Sequence, residues 1–159
     1  MPTPIADLRD LDLASLHALN EANHRETASL SLDSFAALLR MAFYARGFAP
    51  ASAMLIALDP SAPSDSENFA FFRRLRARFV YVDRVIVDLA ARGQGLASAL
   101  YADLFAQARA AGHDFVGCEI NVEPPNPASE AFHAKLDFGE LGRARLANGK
   151  AVRYLGRAL

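Results

Sequence analysis

The stretch from Arg92 to Gly95, with the sequence RGQG, contains the residue types of an anion-binding turn. It follows the apolar run VIVDL and precedes a strongly helical segment, so it joins a strand to a helix. Gly93 and Gly95 let the backbone approach a ligand closely, and the first N–H groups of the helix have no partner within it. The helix dipole and the Arg92 guanidinium favour negative charge there, which suits a pyrophosphate. The alternative is a tight turn that binds nothing.

Two common phosphate-binding motifs do not fit this turn. A P-loop requires Lys followed by Ser or Thr after its last glycine, whereas Leu96 and Ala97 stand there. A dinucleotide fingerprint requires a third glycine, and Ser98 occupies that position. The turn therefore predicts an anion site outside these two classes.

Two carboxylates interrupt strand-like apolar runs, and each is a candidate for proton transfer. In FVGCEINV, alternation puts Glu119 on the face opposite Cys118, which belongs to an apolar face. Asp83 interrupts FVYVDRVIV, and the same alternation puts it on the face of Val85 and Val87. Burial of Glu119 would raise its pKa toward a value useful for a base. A salt bridge to a nearby arginine is the alternative role for each carboxylate.

The elements that must position these residues follow a mixed α/β order. Helical spacing predicts helices over residues 12 to about 24, about 33 to 41, about 93 to 111 and a short one ending near 136. FAFFRRLRA is predicted as a helical turn. The predicted strands are AFYARGFAP and SAMLIALDP, which form a hairpin, then FVYVDRVIVDL, HDFVGCEINV, FGELGRARL and KAVRYLGRAL. The length and the even composition predict one domain over residues 1–159.

Two segments at compatible spacing resemble one family. VIVDLAARGQGLASALYADLF resembles the acetyl-CoA-binding motif of the GNAT superfamily of N-acetyltransferases, in which a strand precedes a glycine turn and a helix. The motif residues here are Arg92, Gly95 and Ala97. Downstream, CEINVEPPNPASEAFHAKLDFGELG resembles the family's next strand and short helix, with Asn126 twelve residues before Phe138.

The resemblance covers about residues 80–141, and it also implies a fold. It implies a central, mostly antiparallel sheet that splays at the acetyl-CoA site, flanked by about four helices. The family usually has Pro where Leu89 stands and Gly where Asp137 stands. Asp tolerates the left-handed conformation that a helix end often needs, so the fold should survive both departures.

The resemblance implies acetyl-CoA as the cosubstrate and assigns residues to it. The pyrophosphate would lie on backbone N–H groups of the glycine turn, and the pantetheine arm along the preceding strand, where a backbone N–H would polarise the thioester carbonyl. The residues expected to bind acetyl-CoA are Val85, Ile86, Val87, Arg92, Gly93, Gln94, Gly95, Leu96, Ala97, Asn126 and His133.

Acyl transfer to an amine requires a base for the ammonium group and an acid for the departing thiolate. Family members that use a glutamate as base have it at a place similar to Glu119, and Asp83 is the rival candidate. Many members have a tyrosine seven residues after the motif asparagine, where this chain has His133. His133 is expected to protonate the thiolate or to hold the pantetheine, and Asn126 to cap the helix and bind the pantetheine.

Charge and cysteine content limit the classes of binding partner and the cellular compartment that the sequence favours. The chain has 17 Lys and Arg against 18 Asp and Glu, so its net charge of -1 does not predict nucleic-acid or membrane binding. A single cysteine and the lack of a signal-peptide pattern favour the cytoplasm, and no metal is expected. The four arginines between residues 73 and 78 are either a solvated face or contacts for phosphate.

The first functional hypothesis is an N-acetyltransferase that moves acetyl directly to a primary amine of a small molecule, an amino acid or a protein N-terminus. Glu21, Asn23 and Glu26 are candidates to face the acceptor. A non-catalytic acyl-CoA-binding or sensing module is the alternative, and an RNA-binding domain is a third hypothesis. A homodimer is left open.

Overall fold

The computed structural model describes residues 3–159, so the first two residues of the predicted domain lie outside the described part. Within it, the helices are α1 Leu13–Ala22, α2 Leu32–Met41, α3 Glu67–Leu75, α4 Leu96–Ala110 and α5 Pro127–Lys135. The strands are β1 Ala6–Asp7, β2 Tyr44–Phe48, β3 Ala53–Leu58, β4 Val80–Val87, β5 Phe115–Asn121, β6 Gly139–Arg145 and β7 Ala151–Ala158. Short 3-10 turns at Leu8–Asp10 and Leu89–Ala91 complete the chain.

The strands form a single mixed sheet in the order β1-β2-β3-β4-β5-β7-β6. Neighbouring strands are antiparallel except β4 and β5, which are parallel. These two pair only at Val80 with Val116 and at Tyr81 with Gly117. Beyond these pairs the strands separate and leave backbone groups of both facing a gap. The predicted mixed α/β fold and the splay of its mostly antiparallel sheet are confirmed.

Two apolar layers cover the two faces of the sheet. Buried side chains of α1, α2 and α3 pack on one face, where Phe35, Phe69 and Phe72 are almost fully buried. On the other face α4 contributes Leu100 and Leu104, and α5 packs beside it. Each Å² of apolar surface that these layers bury stabilises the fold by roughly 25 cal/mol. The sheet is therefore a rigid support for residues at its central gap.

A β-bulge in β4 changes the face on which Asp83 lies. Ile56 lies opposite Arg84 and Ala57 lies opposite Val82, so Asp83 is the additional residue between these pairs. The Asp83 carboxylate contacts the side chain of Arg84, which points to the α1 side of the sheet. The predicted position of Asp83, on the face of Val85 and Val87, is therefore wrong. The cause is the bulge, because strict alternation holds only in an unbroken ladder.

In the described part of the chain, no helix combines the length and the apolar character that crossing a membrane would require.

Candidate active site

A cleft of about 1090 Å³ opens where β4 and β5 separate. The start of α4 borders one end, and the α1–α2 loop, the start of α3 and the β6–β7 turn border the other. The predicted site residues that line it are Asp83, Val85, Ile86, Val87, Arg92, Gly93, Gly95, Leu96, Ala97, Glu119, Asn126 and His133. Gln94 is exposed and does not line the cleft. Residues from two distant motifs are thus brought to one gap.

The glycine turn has the backbone of an anion site. Gly93 and Gly95 have φ values of 80° and 75°, in the left-handed region that glycine adopts without strain. Gly95 is the N-cap residue of α4 and has no side chain to occupy the first N–H groups of the helix. Ser98, in the first turn of α4, also lines the cleft and was not predicted. The exposed N–H groups and the Ser98 hydroxyl are suited to phosphate oxygens.

Arg92 lies between the two ends of the cleft. Its Nε donates to the carbonyl oxygen of Val87 at 3.4 Å, and its Nη2 donates to Oδ1 of Asn23 at 3.4 Å. Both hydrogen bonds are long and exposed, so the guanidinium can also turn toward an anion at the start of α4. Arg92 thereby connects the α1–α2 loop to the glycine turn.

Glu119 is held in the gap by hydrogen bonds to its carboxyl group. The Tyr81 hydroxyl donates to both of its oxygens, at 2.8 and 2.9 Å, and Nδ2 of Asn68 donates to Oε1 at 2.9 Å. Burial raises the pKa of Glu119 to about 8, the hydrogen bond from Tyr81 opposes this rise, and the nearby charge of Asp83 adds to it. A carboxyl group with this pKa ionises close to neutral pH, as a general base requires.

Asp83 and Arg84 form a buried ion pair next to the gap. Nε of Arg84 donates to Oδ2 of Asp83 at 2.7 Å, and their side chains are 6% and 13% exposed. Nη1 of Arg84 also donates to Oδ1 of Asn20 at 2.6 Å and to the carbonyl of Ala28 at 3.0 Å. Arg84 therefore ties the bulge in β4 to α1 and the loop after it. The salt bridge considered as the alternative role for a carboxylate is present for Asp83.

His133 is buried on α5 and both ring nitrogens have partners. Nδ1 is 2.8 Å from the carbonyl oxygen of Ser129, so Nδ1 carries the proton and donates it. Nε2 then accepts the hydroxyl hydrogen of Tyr101 at 2.9 Å. Burial lowers the pKa of His133, which favours the neutral ring. Tyr101 also lines the cleft. The sequence did not predict it as a site residue, because its spacing along α4 is that of a buried core residue.

Asn126 has the predicted capping role. Its side chain accepts a hydrogen bond from the backbone N–H of Ser129 at 3.2 Å, and Pro127 is the first residue of α5.

Cys118 is buried on the apolar face as predicted, and burial raises the pKa of its thiol, which keeps it protonated.

The acceptor candidates of α1 and its loop divide into two groups. Asn23 and Glu26 line the cleft. Glu21 instead accepts hydrogen bonds from the Ser29 hydroxyl, at 2.5 Å, and from the backbone N–H of Leu30, and the Ser29 bond is the main cause that lowers its pKa to about 2. Glu21 therefore holds the α1–α2 loop in place.

The arginine cluster is largely engaged within the protein. Arg73 donates to the carbonyls of Pro60 and Ala62, Arg76 stacks on Phe115 with 4.3 Å to the ring centroid, and Arg78 donates to a carbonyl of the α4–β5 loop.

Among residues 3–159, no group of three or more His, Cys, Asp or Glu side chains is arranged to hold a metal ion.

The sheet topology, the central gap and the glycine turn at α4 together define an acetyltransferase fold. Residues 53–138 match the model of the acetyltransferase (GNAT) family, and the chain belongs to that family. Comparison with curated proteins gave no significant match.

Solved structures share the fold over the full length. The ribosomal-protein-S18-alanine N-acetyltransferase from Escherichia coli is 17% identical with a TM-score of 0.72, covering 99% of this chain and 94% of that one. A chain of the NatC complex bound to Gag peptide and CoA is 17% identical, with a TM-score of 0.73 and coverage of 100% and 99%. The ribosomal-protein-alanine N-acetyltransferase from Brucella melitensis is 21% identical, with a TM-score of 0.69 and full coverage of both chains. At these identities the likeness concerns the fold.

Proposed function

We propose that this protein transfers the acetyl group of acetyl-CoA directly to a primary amine of a small molecule, an amino acid or a protein N-terminus. One observation carries the proposal: Glu119, a carboxyl group with a pKa of about 8, faces the cleft that begins at the glycine turn of α4. A pyrophosphate on that turn and a pantetheine arm along residues 85–87 would bring the thioester to the gap beside Glu119. Two of the similar structures are ribosomal-protein-alanine N-acetyltransferases, and this likeness supports an amine acceptor.

Acetyl-CoA would supply the activated acyl group, and the residues of the gap would handle its protons and charge. In its ionised form Glu119 takes the proton of the acceptor ammonium, directly or through a water, so that the amine nitrogen can attack the thioester carbon. Backbone N–H groups on the unpaired edge of β4, within residues 85–87, would stabilise the charge that develops on the carbonyl oxygen. Asp83 is not assigned as the base, because its carboxylate is already paired with the Arg84 guanidinium.

The departing thiolate must gain a proton, and Tyr101 and His133, on α4 and α5, both line the cleft. The neutral His133 ring donates its one N–H, at Nδ1, to the Ser129 carbonyl and accepts the Tyr101 hydroxyl at Nε2, so it has no proton to give there. We therefore assign the proton to the Tyr101 hydroxyl, which His133 holds in place: its O–H bond breaks as the S–H bond forms, and the phenolate regains a proton from solvent. On α5, Asn126 would hold the pantetheine at the start of the helix.

The test is release of free CoA thiol from acetyl-CoA in the presence of an amine panel. The panel contains small amines, free amino acids and peptides with free N-termini, and each peptide is matched by the same peptide with a blocked N-terminus. Thiol release with at least one free amine, and a product heavier by one acetyl group, is expected. Tight CoA binding without turnover on any acceptor would contradict the proposal and support an acyl-CoA sensor.

Replacing Asp83 by Asn separates the two candidate bases. If Glu119 is the base, Asp83→Asn should retain activity within about fivefold, and its ascending pH limb should move to lower pH, because a negative charge that raises the pKa of Glu119 is removed. The measurement is kcat/KM for the amine between pH 6 and 9. A loss of activity as large as that of Glu119→Gln would instead identify Asp83 as the base.

A further inference from the structure

We propose that Asn68 is a positioning residue that fixes the carboxyl group of Glu119 for proton abstraction, and that Tyr154 in turn fixes the amide of Asn68. The inference rests on the proposed function, which assigns Glu119 as the base. It adds two residues, on α3 and β7, that lie outside the segments resembling the family's acetyl-CoA motifs.

A chain of hydrogen bonds runs from β7 to the carboxyl group. The Tyr154 hydroxyl donates to Oδ1 of Asn68 at 2.9 Å, and Nδ2 of Asn68 donates to Oε1 of Glu119 at 2.9 Å. Because Tyr154 occupies the amide oxygen, the amide NH₂ is turned toward Glu119. Tyr81 donates to the carboxyl group from β4. The carboxyl group is thus held by donors from two different elements, which limits its rotation.

The position of Asn68 is fixed by the packing of α3 on the sheet. Phe72, one turn further along α3, lies so close to β5 that a Cβ atom on Gly117 would overlap its ring. Gly117 therefore permits the close approach that brings the first turn of α3 to Glu119. A larger residue at this position would push the helix and Asn68 away.

Tyr154 is held by an independent contact. It lies directly opposite Glu119 in the β5–β7 register, and the ring of Phe71 stacks on it with centroids 3.8 Å apart and an angle of 5° between the planes. The stacked ring has little freedom, so its hydroxyl group is aimed at Asn68. Asn68 itself lines the cleft, so its amide lies between the buried tyrosine and the space for the acceptor.

Several titratable or charged groups act on Glu119, and Asn68 differs from them in being neutral. These groups are Tyr81, Asp83 and Arg84 on β4, Cys118 on β5, Tyr101 on α4 and Tyr154 on β7. Replacing Asn68 removes one donor to the carboxylate and leaves every charge in place. A change in the ionisation of Glu119 in an Asn68 variant can then be attributed to the lost hydrogen bond.

The test compares Asn68→Ala, Tyr154→Phe and the double variant. Asn68→Ala is expected to lower kcat about tenfold with little change in the KM for acetyl-CoA, and to move the ascending limb of the pH profile up by roughly half a pH unit or more. Tyr154→Phe should act in the same direction, by about threefold. The kcat of the double variant should be no lower than that of Asn68→Ala alone, because Tyr154 acts through Asn68. Tyr44→Phe is the matched control, since its hydroxyl bonds Asp103 on the other face of the sheet.

A second readout does not depend on turnover. The protonation of Glu119 can be followed by infrared difference spectroscopy, with Glu119→Gln to identify its carboxyl band, and Asn68→Ala should raise the midpoint. An unchanged midpoint and pH limb, or additive effects in the double variant, would overturn the inference. Absence of turnover by the wild-type protein would contradict the proposed function alone, because the titration would still decide whether Asn68 acts on Glu119.

Discussion

Replacing Glu119 by Gln is expected to lower kcat for amine acetylation about 100-fold or more. Gln keeps the shape of the side chain and can still accept hydrogen bonds from Tyr81 and Asn68, but it cannot take a proton from the acceptor. The KM for acetyl-CoA should change little, because the predicted cofactor contacts lie along β4 and at the start of α4. Steady-state kinetics with saturating amine would measure both values. A variant with full activity would exclude Glu119 as the base.

The same substitution should stabilise the protein at alkaline pH. The pKa of Glu119 is about 8 in the folded protein, above its ordinary value of 4.5, so its contribution to stability is present below about pH 4.5 and is lost as the pH rises through 8. Glu119→Gln removes this ionisation, so its advantage over the wild type in free energy of unfolding should be roughly 4 kcal/mol larger at pH 9 than at pH 5. Urea unfolding at pH 5 and pH 9 checks this, and the difference should be small at pH 5. Equal differences at both values would contradict the raised pKa.

Replacing Gly95 by Ala is expected to weaken CoA binding by roughly tenfold or more, equivalent to about 1.4 kcal/mol. A methyl group there stands at the start of α4, where phosphate oxygens would approach the exposed N–H groups. The measurement is the Kd for CoA by calorimetry.

Gly112→Ala is the matched control for Gly95→Ala. Gly112 closes the other end of α4 with a φ of 85°, close to the 75° of Gly95, and neither added Cβ meets an atom within 4 Å. The two variants should therefore lose similar stability, by about 1 kcal/mol each, from backbone strain alone. Only Gly95→Ala should raise the Kd. Equal Kd values for both variants would show that the turn does not bind CoA.

Local sequence patterns predicted most of the fold because each element carries its own signal. The long helix after the glycine turn has apolar residues at helical spacing, and it ends at Ala110, within one residue of the predicted end near 111. The segment FAFFRRLRA was predicted as a single helical turn, whereas α3 spans Glu67–Leu75. Ser66 caps this helix, but a serine within a serine-rich stretch is equally typical of a surface loop, so the sequence does not mark it as a cap. The gap between β4 and β5 was predicted only through the family resemblance, since no local pattern encodes the separation of two strands.

The site was predicted less completely, because its hydrogen bonds join residues that are far apart in the sequence. The position of Glu119 followed from alternation along β5, but its partners Tyr81 and Asn68 come from other elements. The bulge at Asp83 is a property of the pairing between β3 and β4, which a single strand does not reveal. Tyr101 was hidden in the apolar pattern of α4, where only its hydroxyl group distinguishes it from core. Such contacts depend on tertiary packing and cannot be read from spacing.

The pH dependence of kcat/KM for the amine, measured for the wild type and for Glu119→Gln between pH 6 and 9.5, tests the central claim most directly. The wild-type profile should rise to a plateau with an ascending limb near pH 8, set by the ionisation of Glu119. Glu119→Gln should lose this limb and keep only the contribution of the acceptor amine at a much lower rate. Parallel profiles for the two proteins, differing only by a constant factor, would contradict the assignment of Glu119 as the base.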